Sequence, residues 1–309
     1  MPHPFLSPRE PEAPEALVAR AKSGEPARIA LVNAGSAPAL AGIRSAAEMG
    51  LAIPTLIGDP AKIDAAAREI GWDISAAEIV EAPGPAASHA AAKLAREGAV
   101  GTIMKGQVQT STFLKGLLPS SAGLRAPGSR CGHVFHLTLP GNPAPLLLTD
   151  GALNVDPDVE TRKACLKHAV VLAQRLGIAR PRAALLAPAE KPTPGIESSF
   201  ASAEIAAWAK DALPEADVAG PISMDLLLSA EAARIKGYTH PVAGAADILC
   251  VPNITSGNAL FKLMVLGMGA CAGGIVLGAK VPILLTSRAS KDAARIASVS
   301  LGVIMAQGV

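Results

Sequence analysis

Apolar and polar positions change their period along this chain in a regular way. ARIALVNAG, from Ala27, is a short aliphatic run that ends in small residues, and PALAGIRSAAEMG after it returns to an apolar residue every three or four positions. The first reads as a buried strand and the second as a helix with one apolar face. The theme recurs as PTLIGD then PAKIDAAAREIG, with Pro opening and Gly closing the helix, as AEIVEAP then AASHAAAKLAREG, and as a fourth strand in AVGTIMKG. Strand and helix alternating at this spacing predict a parallel sheet with helices on both faces.

Between Leu117 and Pro145 the pattern breaks. Gly and Pro crowd LLPSSAGLRAPGSRCG, and HVFHLTLP with APLLLTD then predict a strand pair. The stretch DPDVETRKACLKHAVVLAQRLG predicts a long helix with acids at its start and Arg-x-Gly at its stop, which suits the helix dipole. Further strand–helix units follow through RAALLAP, ADVAGPI and ADILCVPN, and VPILLT with the helix after it returns to the N-terminal theme. The expected organisation is a disordered Pro-rich tail over residues 1–25, one α/β domain from 26–126 plus 276–309, and a second from 127–275. The fold class is two doubly wound α/β domains with a cleft between them. Ligands of such sheets sit just beyond the carboxyl ends of strands, so the residues there are the ones to inspect.

Composition narrows the partners. The 28 basic and 26 acidic residues leave a net charge of +2, and there are five Phe, two Trp and one Tyr. That balance offers no broad field for nucleic acid or an anionic membrane, and few rings for base stacking. Anion recognition must be local. Cys131, Cys165, Cys250 and Cys271 are widely spaced, with no CxxC or zinc pattern, and read as reduced core thiols of a cytoplasmic protein. The N-terminus has no apolar signal-peptide region. LMVLGMGACAGGIVLGA, Leu263 to Ala279, is short for a membrane span and broken by Gly, then by Lys280 and Pro282, so a helix, a turn and a buried strand describe it better.

Four stretches carry candidate chemistry. In IMKGQVQTSTFLKG, Lys105 and Lys115 flank Thr110, Ser111 and Thr112 where a helix should begin; hydroxyls, free amides and lysines there suit a phosphate, and equally an ordinary N-cap with solvated lysines. LLTDGALNVDPD ends a strand in Asp150-Gly151, a turn with an Asx-type bond. PVAGAADILCVPNITSGNALFK puts Asn253 after a strand and the polar Asn258 into an apolar helix. VPILLTSRASKD delivers Ser287 and Arg288 to a strand end, with Asp292 just beyond: a guanidinium fork suited to a phosphoryl group, or a capped helix start. The Gly-rich GMGACAGG precedes a strand where a dinucleotide fingerprint would follow one, and GxxxxGK[ST], HExxH and GxSxG are missing. His133 and His136 alternate with apolar residues in a strand, and they with His89, His168 and His240 read as core or surface residues.

Together, MKGQVQTSTFLKG, LLLTDGALN, PVAGAADILCVPNITSGN and GAKVPILLTSR resemble the phosphate acetyl/butyryl transferase family, in the same order and over nearly the whole chain from Arg28. The resemblance implies an isocitrate/isopropylmalate dehydrogenase-like fold, a homodimer without metal, and reversible transfer of a short acyl group, acetyl or also butyryl, between coenzyme A and inorganic phosphate. Coenzyme A is then a substrate, and no cofactor is permanently bound. The family's serine–arginine pair corresponds to Ser287 and Arg288. Its aspartate often follows the SRA motif directly; here Ser290 stands there, and Asp292 is the acid within reach. Lys105, Thr110, Ser111, Thr112, Asn258 and Lys280 are expected on the phosphate or acyl phosphate. Lys115 replaces the family's coenzyme A-contacting basic residue. Two other readings remain at this level: a metal- and NAD-dependent dehydrogenase on the same architecture, and a non-catalytic acyl-CoA-binding relative.

Overall fold

Strand and helix follow one another in the order the pattern predicts, and the first departure is at the N-terminus. Glu15–Lys22 (α1), expected within a disordered tail, is a helix that buries Leu17 and Ala21. The prolines and charges around it hide a short apolar stripe that a neighbouring helix can cover. The computed structural model describes residues 3–285 and 291–307.

The parallel theme then unfolds as β1 (Ala27–Val32), α2 (Ala37–Glu48), β2 (Ala52–Gly58), α3 (Pro60–Glu69), β3 (Glu78–Glu81), α4 (Ala86–Arg96), β4 (Thr102–Lys105) and α5 (Thr110–Leu117), followed by a single turn at Ser120–Ala122. Local rules explain the boundaries. Asp59 accepts from the amides of Ala61 and Lys62 at the start of α3, where Pro60 supplies a helical φ. All four residues of β4 are buried, as expected of a central parallel strand covered on both faces.

A strand pair comes next, β5 (Gly132–Leu139) antiparallel to β6 (Asn142–Thr149). It is followed by α6 (Val159–Arg175), β7 (Arg182–Leu186), α7 (Glu197–Ala212), β8 (Asp217–Ile222), α8 (Met224–Leu228), α9 (Ala230–Ile235), β9 (Ile248–Cys250) and α10 (Ile254–Lys262), which runs on into a wider π-helical turn at Leu263–Gly267. The chain closes with β10 (Cys271–Leu277), β11 (Ile283–Leu284) and α11 (Asp292–Ala306).

Two compact units result: Pro11–Ser129 with Cys271–Val309, and Met1–Glu10 with Arg130–Ala270. In the first unit the strands lie in the order β3-β2-β1-β4-β11-β10. They are parallel except for β10 against β11. In the second the order is β5-β6-β9-β7-β8, parallel from β6 onward. The C-terminal strand β11 sits beside β4 of the N-terminal segment, so the chain returns to the unit it began. Among the described residues no helix is long and apolar enough to cross a membrane. The segment from Leu263 is a helical turn followed by the buried strand β10.

Candidate functional site

The carboxyl ends of β1 and β4 are tied to each other by backbone. The amide of Gly106 donates to the Val32 carbonyl and that of Gln107 to the Asn33 carbonyl, each at 2.9 Å. A side chain at Gly106 would put its Cβ 2.5 Å from the Val32 oxygen and 2.7 Å from the Asn33 oxygen, so only glycine fits. Asn33 holds a positive φ of 55° and its Nδ2 donates to the Gly84 carbonyl at 3.0 Å. Such conformations are uncommon outside glycine and are best tolerated by Asn. Lys105 stands at this strand end and is 6 % exposed. Its ammonium donates to the carbonyls of Gly106 at 3.4 Å and Val108 at 3.2 Å.

Five residues further on, α5 begins with Thr110, Ser111 and Thr112 in its first turn, while Phe113, Gly116 and Leu117 form its buried face. Thr110, Ser111 and Lys115 are exposed, Thr112 half-buried. The Gln109 side chain makes no capping bond, so no side chain at the cap position occupies the first-turn amides.

Strand β11 runs parallel to β4, with Ile283 opposite Ile103 and Leu284 opposite Met104. The chain therefore leaves β11 one step from the register of Lys105. Thr286, Ser287, Arg288 and Ser290 lie outside the described residues. Lys291 stands at the N-cap position of α11 without a side-chain capping bond, and Asp292 occupies the first turn. The Asp292 carboxylate accepts from Arg295 Nη1 at 2.9 Å. The Arg295 side chain is only 12 % exposed and lies across Gly42 of α2, where a Cβ would come within 2.6 Å of Arg295 Cδ. Asp292 is thus oriented by an anchored arginine. Sequence reading overlooked Arg295; its signal was the i, i+3 spacing of acid and base on a helix.

Lys280 is placed differently from its expected companions. It precedes β11, and its ammonium donates to the Arg96 carbonyl at 2.7 Å at the C-terminus of α4. That is the edge where the parallel strands enter, opposite the edge that carries Lys105. The structure does not bring Lys280 and Lys105 together.

Asn258 belongs to the other unit, where a buried carboxylate organises the loops. Asp150, 3 % exposed, accepts from the amides of Ala152 at 3.0 Å, Leu153 at 2.9 Å and His133 at 3.1 Å, and from Asn154 Nδ2 at 2.7 Å. This is the Asx-type turn read from the sequence, extended into a hub. Asn253 caps α10 by accepting from the Ser256 amide at 3.0 Å. Gly257 lies against the backbone of Gly151, where a Cβ would be 2.6 Å from Gly151 Cα, and Asn258 Nδ2 donates to the Gly151 carbonyl at 3.4 Å. The TDGALN and NITSGN segments therefore meet backbone to backbone. His133 and His136 are buried in β5, and burial pushes both imidazoles down to about 4, so both are neutral at pH 7. All four cysteines are buried and none is in a disulfide, and burial pushes the Cys271 thiol up to about 11. Among the described residues no cluster of three His, Cys, Asp or Glu is placed to hold a metal ion.

Known proteins resemble this chain closely. The family described as phosphate acetyl/butaryl transferase matches residues 85–303. A phosphate acetyltransferase of Rhizobium meliloti is 37% identical over 301 residues, which cover 97% of this chain and 95% of that one. A phosphate butyryltransferase of Clostridium beijerinckii is 34% identical over 292 residues, 94% of this chain and 96% of its own. Among solved structures, a branched-chain phosphotransacylase from Enterococcus faecalis superposes with a TM-score of 0.77 at 30% identity, covering 91% of this chain and 99% of that one.

Proposed function

The chain belongs to the phosphate acetyl/butyryl transferase family, and from that premise we propose how its own residues carry the reversible transfer of a short acyl group between coenzyme A and phosphate. A thiol near its ordinary pKa is mostly protonated at neutral pH, while the thiolate is the nucleophile. Asp292 removes the coenzyme A thiol proton, and the Ser287 hydroxyl donates a hydrogen bond to the sulfur. The thiolate forms a C–S bond to the carbonyl carbon of the acyl phosphate. The bond between that carbon and the bridging oxygen then breaks, and phosphate leaves with the electron pair. Arg288 neutralises the phosphoryl group and the oxyanion that develops on the carbonyl, a contribution of about 3 kcal/mol for donors of this kind. Lys105 adds a fixed charge, and Thr110, Ser111 and Thr112 offer hydroxyls and first-turn amides to the phosphate. Lys115 meets coenzyme A, and Asn258 completes the acyl-phosphate side. A ternary complex supplies proximity, so a covalent enzyme intermediate is unnecessary.

One observation carries this reading. The pairing of β11 with β4 brings the strand end that leads to Ser287 and Arg288 beside the strand end of Lys105, with Asp292 opening the next helix. Lys280, on the far edge, is left out of the phosphate set. The test is thioester formation from coenzyme A and a panel of acyl phosphates. Arg288→Ala should lower kcat/KM by about a hundredfold or more. Asp292→Asn should lower kcat and remove its dependence on the ionisation of that carboxylate. Unchanged turnover in Asp292→Asn would assign the proton to another base.

The finer organisation follows the same premise. We infer that the two units are the two domains of an isocitrate dehydrogenase-like enzyme, supported by the mixed sheet of the first unit with its one antiparallel pair. The enzyme holds no resident metal or cofactor, since Arg288 and Lys105 supply the positive charge the phosphoryl group needs. Four buried thiols support a reducing, cytoplasmic setting. A homodimer is supported by α10 and its π-helical extension, in which only Gly257 is buried while Leu263, Leu266 and Met268 just beyond stand exposed. An apolar helix face of this kind suits a two-fold interface with a second copy.

A further inference from the structure

A second cationic feature lies in the first unit, away from the strand ends discussed above. Helix α4 sets His89, Lys93 and Arg96 at spacings of four and three, which puts them on one stripe of its surface. All three line a groove of about 400 Å³ between α4, the end of α5 and the turn at Ser120–Ala122, where Ser121 adds a hydroxyl. That volume falls in the range of small-molecule sites. Gly116 allows α5 to approach α4, and against it sits Ser88, 1 % exposed, whose hydroxyl has no hydrogen-bond partner among the described residues.

Among the described residues no acidic one lines this groove. Lys93 reaches Glu97 only at 4.0 Å, with both side chains more than half exposed, a geometry that leaves the lysine free to turn to another anion. Arg96 Nη1 donates to the Ala122 carbonyl, which fixes the guanidinium at the groove wall. Lys280, which the transfer site does not use, places its ammonium on the carbonyl of that same arginine. Lys93, Arg96 and the Ser121 hydroxyl share this groove, Lys280 stands against the Arg96 backbone, and Glu97 meets Lys93 at 4.0 Å from outside the lining.

We propose that this groove binds a small, multiply charged phosphate ester or diphosphate, apart from the acyl-transfer step. The chemistry is shared by two sources, the phosphorylated end of the coenzyme A substrate and a separate phosphorylated metabolite, and the experiment separates them. Inorganic pyrophosphate is titrated calorimetrically at low ionic strength into full-length protein carrying Arg288→Ala, so that the transfer site does not compete. Binding with a Kd of about 1 mM or tighter is expected. The double substitution His89→Gln, Lys93→Met removes two exposed side chains and leaves the core intact, which a thermal melt checks; it should weaken that binding about tenfold or more. In the otherwise native enzyme, the same pair raises KM for coenzyme A but not for pantetheine if the groove holds the substrate's phosphates. It leaves both KM values unchanged if the ligand is a separate metabolite. Pyrophosphate that fails to bind, or that binds the double variant as tightly as its parent, overturns the assignment.

Discussion

Gly106 shows how a single residue sets the geometry of a strand end. Its missing Cβ lets the segment after Lys105 lie on the carbonyls of Val32 and Asn33, which holds a buried ammonium at the edge of the sheet. Gly106→Ala must push two backbone segments apart, and overpacking of this kind costs about 1–3 kcal/mol. The urea midpoint should fall by a corresponding amount, and KM for phosphate should rise because Lys105 moves with the loop. A variant as stable and active as the parent would show that the strand ends can separate freely. Asp292 makes a second residue-scale point. The acid was visible in the sequence, but Arg295, which orients it from across Gly42, was not. An i, i+3 pair is common on helix surfaces, and only packing against another helix distinguishes an anchored pair from a solvated one.

At the scale of elements, helices whose apolar stripe meets a sheet behave as patterned, and α10 is the instructive exception. Its sequence is as apolar as that of a core helix, yet its attachment runs through Gly257 on Gly151 and through Phe261, stacked on Phe135 at 4.0 Å between ring centres. The remaining face is the one proposed above for a second copy of the chain. Leu266→Glu introduces a charge at a residue that is 55% exposed in the monomer, so the fold should survive while a dimer dissociates. Sedimentation velocity should show a dimer for the parent and a monomer for the variant. A parent that is already monomeric, or a variant that remains dimeric, would remove α10 from the interface. Helix α1 teaches the converse. Prolines and charges around Glu15–Lys22 made it read as tail, but a stripe of Leu17 and Ala21 is enough when a covering surface exists. A short helix is marginal alone and stable once packed.

For the whole molecule, the buried histidines of β5 couple stability to acid. Both imidazoles lie far below their unfolded value, held there by burial, and His133 is raised somewhat against that trend by Asp150. The unfolded chain therefore binds more protons than the folded one between about pH 6.5 and about pH 4. Their contribution to stability is complete above the unfolded pKa and is lost as pH falls, by about 1.4 kcal/mol per pH unit for each histidine. Urea unfolding at about pH 7.5 and about pH 5 should show this loss, and His136→Leu should reduce it by about 2 kcal/mol. An acid sensitivity identical in parent and variant would mean that the imidazole stays neutral when unfolded too, or charged when folded.

Much of this architecture was legible in order along the chain. Periods of two kinds, with Pro at helix starts and Gly at stops, marked β1 to β4 and the helices between them, because those signals act within a few residues. The segments that carry the chemistry were legible too, as short polar stretches after aliphatic runs, and the resemblance built on them led to a family that the comparisons show. What the sequence could not supply is proximity. That β11 lies beside β4, that TDGALN meets NITSGN backbone to backbone, and that Lys280 faces the opposite edge from Lys105 are consequences of strand pairing between residues more than a hundred positions apart. Local composition determines which element forms; which elements become neighbours is decided by the burial of apolar faces all at once, and that is a property of the folded chain alone.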